Sequence, residues 1–258
     1  MGKIIKNKIP ILEFDKTTPA VIEPSRIFKK KKIPEHCVLC FFNEVIGKLI
    51  EEGKAKLITT MHTNFGRHPV YEFEFYHEKV AVFHPGLGAP LCAGMLEEII
   101  ALGCSKLIAC GGAGVLNKEI TMGQLIIPVS AVRDEGTSYH YIAPSREICP
   151  SPSAVKAIKK TLERRNCKYI LGKTWTTDAF YRETPEKVML RKKEGCITVE
   201  MEAAAFFAVA KFRLVKFGQL LYGGDDVSCA DWDPRTHLSR KEIREKIFEF
   251  AVEACLEL

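Results

Sequence analysis

Residues 79–114, KVAVFHPGLGAPLCAGMLEEIIALGCSKLIACGGAG, carry a pattern from which the architecture of the whole chain can be read. KVAVF reads as a strand and ends at a glycine-bearing turn, HPGLGAP. In CAGMLEEIIALG the apolar residues return every three or four positions, the spacing of one helix face, and Gly103 stops the run. KLIACGGAG then begins as an unbroken apolar run, as a strand does when both its faces are covered. Strand, helix and strand in succession predict an α/β layer fold.

The same alternation extends outward on both sides. Upstream, CVLCFF (37–42) reads as a buried strand and EVIGKLIEEGK (44–54) as a helix ending at Gly53. KLITTMHT, VYEFEFY and KVAVFH alternate as strands, with turns near Gly66 and at His77-Glu78. Downstream, GQLIIPVSAV, KYILGKTWTT and VKFGQLLYGG read as strands. SAVKAIKKTLERRN, EKVMLRKKEG, VEMEAAAFFAVAKF and REKIFEFAVEACLEL read as helices. No linker interrupts this series, which predicts one domain over residues 35–258. Residues 1–34 carry Pro10, Pro19, Pro24 and Pro34 and read as an extended N-terminal arm.

Composition narrows the class. The chain has 258 residues, 47% of them apolar, enough for a substantial core without metals or crosslinks. The net charge of +6 is partly a local run, Lys29 to Lys32, with no interleaved aromatics and no base-reading motif. It reads as a solvated lead-in to the first strand, not as a nucleic-acid surface. The opening MGKIIKNKIPILEFDK is broken by lysines and a proline, and no stretch approaches 18 uncharged apolar residues, so no membrane association is expected. Ten cysteines, several inside apolar runs, suit free thiols in a reducing cytoplasm. Cys37 and Cys40 share C-x-x-C spacing, but on a strand they point to opposite faces, and no second pair completes a metal site.

Four clusters could carry chemistry. Gly111-Gly112-Ala113-Gly114 stands at a strand end, where turns gather backbone N–H groups, and offers either a tight turn or an anion and ribose cradle. Glu200, Met201 and Glu202 place two carboxylates at the start of an otherwise apolar helix. Either they serve the helix dipole, or one of them accepts hydrogen bonds from the two vicinal hydroxyls of a sugar. Asp225 and Asp226 follow the strand VKFGQLLYGG, and a carboxyl there can be a turn residue or a general acid. Arg133-Asp134-Glu135-Gly136-Thr137-Ser138-Tyr139-His140-Tyr141 collects a guanidinium, acids, hydroxyls, phenols and an imidazole within nine residues, a density that suggests a site.

From Cys37 to the C-terminus the chain resembles the single-domain nucleoside phosphorylases: hexameric purine nucleoside phosphorylases, uridine phosphorylases and related nucleosidases. VEMEAAA, CGGAGVL, GLGAP, TTDAFYRET and GGDD carry the resemblance, and RDEGTSYHY is similar to a segment of uridine phosphorylases and some AMP nucleosidases. It implies a single α/β domain with a central mixed, partly barrel-like sheet flanked by helices. It further implies Glu202 as the ribose-hydroxyl acceptor with Met201 beneath the sugar and Glu200 and Gly112 beside it. The resemblance likewise implies that Phe180 and Tyr181 stack on the base and that Asp225, or Asp226 if the register slips by one, protonates the departing base. Thr184 and Glu186 stand where uridine-specific members carry Gln and Arg, which disfavours uridine.

Two family features are missing. The Gly-Asp-Pro-x-x-Arg phosphate loop is replaced by CFFNEVI, and the arginine two residues before the strand-end glycine is Ala109. Arg133, Arg67, Gly88 and Gly111 are therefore the expected phosphate ligands, with Arg67 lent across a subunit interface. The expected activity is phosphorolysis of a purine nucleoside to free base and pentose 1-phosphate, by a homo-oligomer (a dimer, or a hexamer built as a trimer of dimers). Inorganic phosphate is the co-substrate and no metal or organic cofactor is expected. Hydrolysis by a nucleosidase and a non-catalytic nucleoside-binding protein are the competing readings.

Overall fold

The first sheet strand shows how this sequence builds two cores at once. In β1 (His36–Cys40), Cys37 and Leu39 enter one buried cluster, while Val38 and Cys40 enter another on the opposite face. Alternation with both sides apolar is what a strand covered by helices on each face requires. The computed structural model describes residues 4–64, 66–229, 231–236 and 239–258. After β1 its strands are β2 (Ala55–Thr63), β3 (Gly66–Phe75), β4 (Glu78–Phe83), β5 (Lys106–Val115), β6 (Leu125–Asp134), β7 (Glu147–Ile148), β8 (Tyr169–Thr177), β9 (Cys196–Glu200) and β10 (Lys216–Asp226). Its helices are α1 (Pro24–Ile27), α2 (Asn43–Glu51), α3 (Ala89–Leu102), α4 (Pro152–Arg164), α5 (Pro185–Lys193), α6 (Ala203–Arg213) and α7 (Lys241–Leu256).

The sheet order is β10-β6-β8-β9-β5-β1-β4-β3-β2, with β7 on β6, and β10 also pairs with β5. That last pairing closes β10, β6, β8, β9 and β5 into a barrel, from which β1, β4, β3 and β2 extend as an open wing. Pairing is mixed: β5 runs parallel to β1 and β10 and antiparallel to β9. The expected mixed, partly barrel-like sheet is therefore present. α3 and α6 cover one face, and α2, α4 and α7 contribute to the other core. In α6, Ala203 through Ala210 are all buried, the signature of a helix apolar all round and enclosed by protein.

Two expectations need adjustment. Val199 and Glu200 belong to β9, and α6 begins only at Ala203, so the two glutamates flank a sharp strand-to-helix turn and do not share a helix's first turn. The N-terminal arm, of which residues 1–3 lie outside the described residues, is pinned to the body. Arg213 at the end of α6 donates to Glu23 at 2.7 Å and to Glu97 of α3 at 2.6 Å.

α6 ends on Leu214, whose φ of 57° is left-handed and whose side chain is 92% exposed. A Cβ in that region costs roughly 1–2 kcal/mol, while glycine gives back part of that through a more flexible unfolded chain. Leu214→Gly should therefore raise Tm by about 1–3 °C in calorimetry. A lower Tm would show that the leucine side chain stabilises the native state.

Candidate active site

A cavity of about 830 Å³ opens at the carboxyl ends of β5 and β10, the end where α/β sheets gather ligands. Met201, Glu200, Glu202, Phe180, Tyr181, Gly111, Gly112 and Asp225 all line it. The glycines make room: a Cβ on Gly111 would sit 3.3 Å from the Phe41 ring, and one on Gly112 only 3.2 Å from the Tyr222 hydroxyl.

The turn between β9 and α6 is held by Glu200. Its Oε2 accepts from the backbone N–H groups of Glu202 at 2.8 Å and Ala203 at 2.6 Å, and its Oε1 accepts from the Thr176 hydroxyl at 2.7 Å. The Thr176 oxygen in turn accepts from the Ala204 N–H at 3.0 Å. Helix starts leave N–H groups unpaired, and this buried carboxylate and hydroxyl satisfy three of them. Both oxygens of Glu200 thus accept hydrogen bonds within the protein, so it positions the turn while still lining the cavity beside Met201 and Glu202.

Glu202, thrown forward by that turn, is differently placed. Its Oε1 accepts from the Gly88 N–H at 2.7 Å. This is how GLGAP serves the site: Gly86 and Gly88 take φ of 91° and 86°, and a Cβ on Gly86 would lie 2.4 Å from Leu91. The Gly88 amide is therefore spent on Glu202 and is not a phosphate ligand. Burial, and then the negative charge of Glu200, push the Glu202 carboxyl up. The carboxylate is costly when empty-handed and gains most from hydroxyl donors.

At the other end of the cavity, Asp225 receives the Trp232 indole N–H on Oδ2 at 2.7 Å. Glu183, also lining the cavity, is pushed up to about 7 by burial and then by the charge of Asp225. Two carboxyls in one cavity, one of them carrying a proton near neutrality, form a proton reservoir. Phe180 and Tyr181 lie against each other with ring centres 4.1 Å apart and planes tilted by 43°, the first about half exposed and the second almost wholly so.

Three predicted residues are placed elsewhere. Arg133 is 4% exposed, and its guanidinium donates to Ser138, Ser145 and the carbonyls of Ile142 and Ala143, all at 2.8–2.9 Å, while lying over the Tyr139 ring at 4.2 Å. It ties the 134–146 segment together and does not line the cavity. Asp226 pairs with Arg235 at 3.0 Å and accepts from the Ser228 N–H, so the alternative acid is a loop clamp whose carboxyl is held low. Arg67 lies exposed at the start of β3, away from its own chain's cavity. Conversely, sequence reading missed Glu183, Trp232, Tyr222 and two arginines of the C-terminal helix region, Arg240 and Arg244, all of which line the cavity.

Comparison with known proteins agrees with this fold. A family model described as the phosphorylase superfamily matches residues 35–257. The guanosine phosphorylase of Halorubrum lacusprofundi is 28% identical over 135 residues, covering 52% of this chain and 56% of that protein. The DeoD-type purine nucleoside phosphorylase of Colwellia psychrerythraea is 27% identical over 207 residues, covering 79% and 83%. The match thus spans little more than half of the first relative and most of the second. In fold, the purine nucleoside phosphorylase from Toxoplasma gondii in complex with immucillin-H superposes with a TM-score of 0.76 at 16% identity, over 93% of this chain and 98% of that one.

The raised Glu183 gives a stability test with a fixed sign. An acid whose folded pKa lies near 7 and whose unfolded value is ordinary binds a proton on folding between them, so its contribution is fully present below about pH 4.5 and lost as pH rises through about 7. Glu183→Gln should match wild type in Tm at about pH 5 and exceed it at about pH 8. Parallel Tm-against-pH curves would remove Glu183 from the proton reservoir.

Proposed function

Because the chain belongs to the phosphorylase superfamily, we propose that it cleaves the N-glycosidic bond of a purine nucleoside with phosphate, giving free base and pentose 1-phosphate. The observation that carries this reading is one cavity with a diol acceptor, Glu202, at one position and a proton-bearing carboxyl pair, Asp225 and Glu183, at another. A ribose with its two hydroxyls on Glu202 and its ring against Met201 presents the base toward Phe180, Tyr181 and Asp225. Breaking the C1′–N bond sends its electron pair into the base, and a proton from the carboxyl pair neutralises it. A phosphate oxygen forms the new bond to C1′, so atoms and charge balance without a metal or an organic cofactor.

Purine is favoured over pyrimidine because an acid beside the leaving base suits protonation of a purine ring nitrogen, and because Thr184 and Glu186 replace the amide and guanidinium expected for uridine. Arg67 is exposed and does not line the cavity described above, which leaves it available to a neighbouring subunit and supports a homo-oligomer in which a neighbour's Arg67 approaches the phosphate beside Gly111. Ten free thiols, seven of them buried, suit a reducing cytoplasm. Among the described residues no helix is long and apolar enough to cross a membrane. Hydrolysis is the second reading, favoured by one observation: Phe41 and Phe42 line the cavity where a phosphate loop was expected.

The deciding assay incubates purine nucleosides with and without phosphate and measures free base and pentose 1-phosphate. Asp225→Asn should lower kcat by about 10²–10⁴-fold. Glu202→Gln, which replaces one carboxylate oxygen with a donor, should collapse turnover of ribonucleosides. Base release that is undiminished in phosphate-free buffer and yields free pentose would replace phosphorolysis with hydrolysis. Near-normal kcat/KM in Glu202→Gln would end the ribose assignment.

A further inference from the structure

Resting on the cleavage reading of this cavity, we infer that Arg244 of α7 is its phosphoryl-group ligand, standing in for the family arginines that this chain lacks. Neither the β1–α2 junction nor Ala109 can supply a cation, and Arg133 is consumed within its own loop. Arg244 comes instead from a distant part of the chain and lines the cavity wall.

Its environment has the form of a prepared anion site. Nε donates to the Tyr222 hydroxyl at 3.1 Å and Nη1 to Glu44 at 2.5 Å, while the guanidinium lies over the Phe42 ring at 5.2 Å. Among the described residues nothing accepts from Nη2. The side chain is thus fixed at three points and keeps donors in reserve, which is how a planar guanidinium is pre-organised for a tetrahedral anion. The Tyr222 hydroxyl that accepts from Arg244 is the same atom that lies 3.2 Å from the position of a Cβ on Gly112. One hydroxyl therefore links the arginine to the strand-end glycines. An anion between the Gly111-Gly112 backbone and Arg244 would lie in the cavity that also holds Glu202. Glu44 balances only part of the local charge, because Arg240, the N-cap residue of α7, donates to the carbonyl of Pro234 and pairs with no carboxylate among the described residues.

Free orthophosphate and the 5′-phosphate of a nucleotide present the same chemistry, so the test carries both. Binding of inorganic phosphate and of a purine nucleoside 5′-monophosphate is measured by titration calorimetry on wild type, Arg244→Ala and Arg244→Lys, with circular-dichroism melting as the folding control. Arg244→Ala should weaken one of these ligands by about tenfold or more, since hydrogen bonds to charged groups are individually strong. Arg244→Lys, which keeps a charge but not the fork, should fall between. Affinity for the unphosphorylated nucleoside should stay within about twofold, as Glu202 and Phe180 lie elsewhere on the wall. Loss confined to orthophosphate assigns the site to the nucleophile, and loss confined to the nucleotide assigns it to the 5′-phosphate. If the variants melt early, phenylglyoxal labelling of wild type replaces them: phosphate or nucleotide should protect Arg244 from modification.

Unchanged affinities in folded variants, or no protection by either ligand, would overturn the inference. The cleavage reading is judged separately, by whether wild type releases base at all and whether it needs phosphate. A protein that loses anion binding with Arg244 yet releases base without phosphate would keep this site and discard phosphorolysis.

Discussion

A single buried carboxylate organises the site through bonds made within the protein. Glu200 gathers the backbone N–H groups that open α6 and the hydroxyl of Thr176 in β8, locking three elements of the barrel wall to one another. Removing a buried hydrogen-bonded acceptor of this kind leaves its donors unpaired, at roughly 1–3 kcal/mol for each unsatisfied group. The direction of Glu202 follows from that lock, because a strand can turn into a fully buried helix in two residues only if the helix's first N–H groups are met at once. The neighbouring acids are thus divided by geometry: one is saturated by the protein, the other is left with capacity for a ligand.

A second constraint acts from the opposite side. Barrel closure through the β5–β10 pairing brings Gly112 level with Tyr222, so the strand ends are separated by little more than a side chain's thickness. Glycine at β5 and tyrosine at β10 are a matched pair in that register. The cavity's shape is consequently a property of the sheet, while a cation on its wall, Arg244, comes from outside the sheet, on α7.

The fold was largely legible because its signals are local. Strand-to-helix alternation, Gly53 and Gly103 as helix stops, and the His77 turn all depend on residues within a few positions of one another. Glu202 and Asp225 were legible as cavity residues because each stands at or just beyond a strand end within a short local motif. Arg133 misled for a physical reason: a dense polar loop has the same composition whether its groups face a ligand or each other, and only the fold shows that the guanidinium is spent on Ser138, Ser145 and two carbonyls of its own loop. Arg244 was invisible for the opposite reason. It sits in an ordinary amphipathic helix, and its meaning depends on Tyr222 and Glu44, one of them 200 positions away. Glu183 adjoins the aromatic pair but acquires its character from burial and from Asp225, neither of which the local sequence encodes. The register of VEMEAAA had the same difficulty, since apolar strand and apolar helix run together there with no breaker between them.

The two-faced strand β1 has one more consequence. Cys37 and Cys40 are sealed into separate cores, and five further thiols are buried with comparable completeness. An alkylating reagent meets these sulfurs only while the structure has opened around them. Their labelling rates would therefore act as a set of molecular clocks, each timing the fluctuations of its own region of the fold, with no reporter group added.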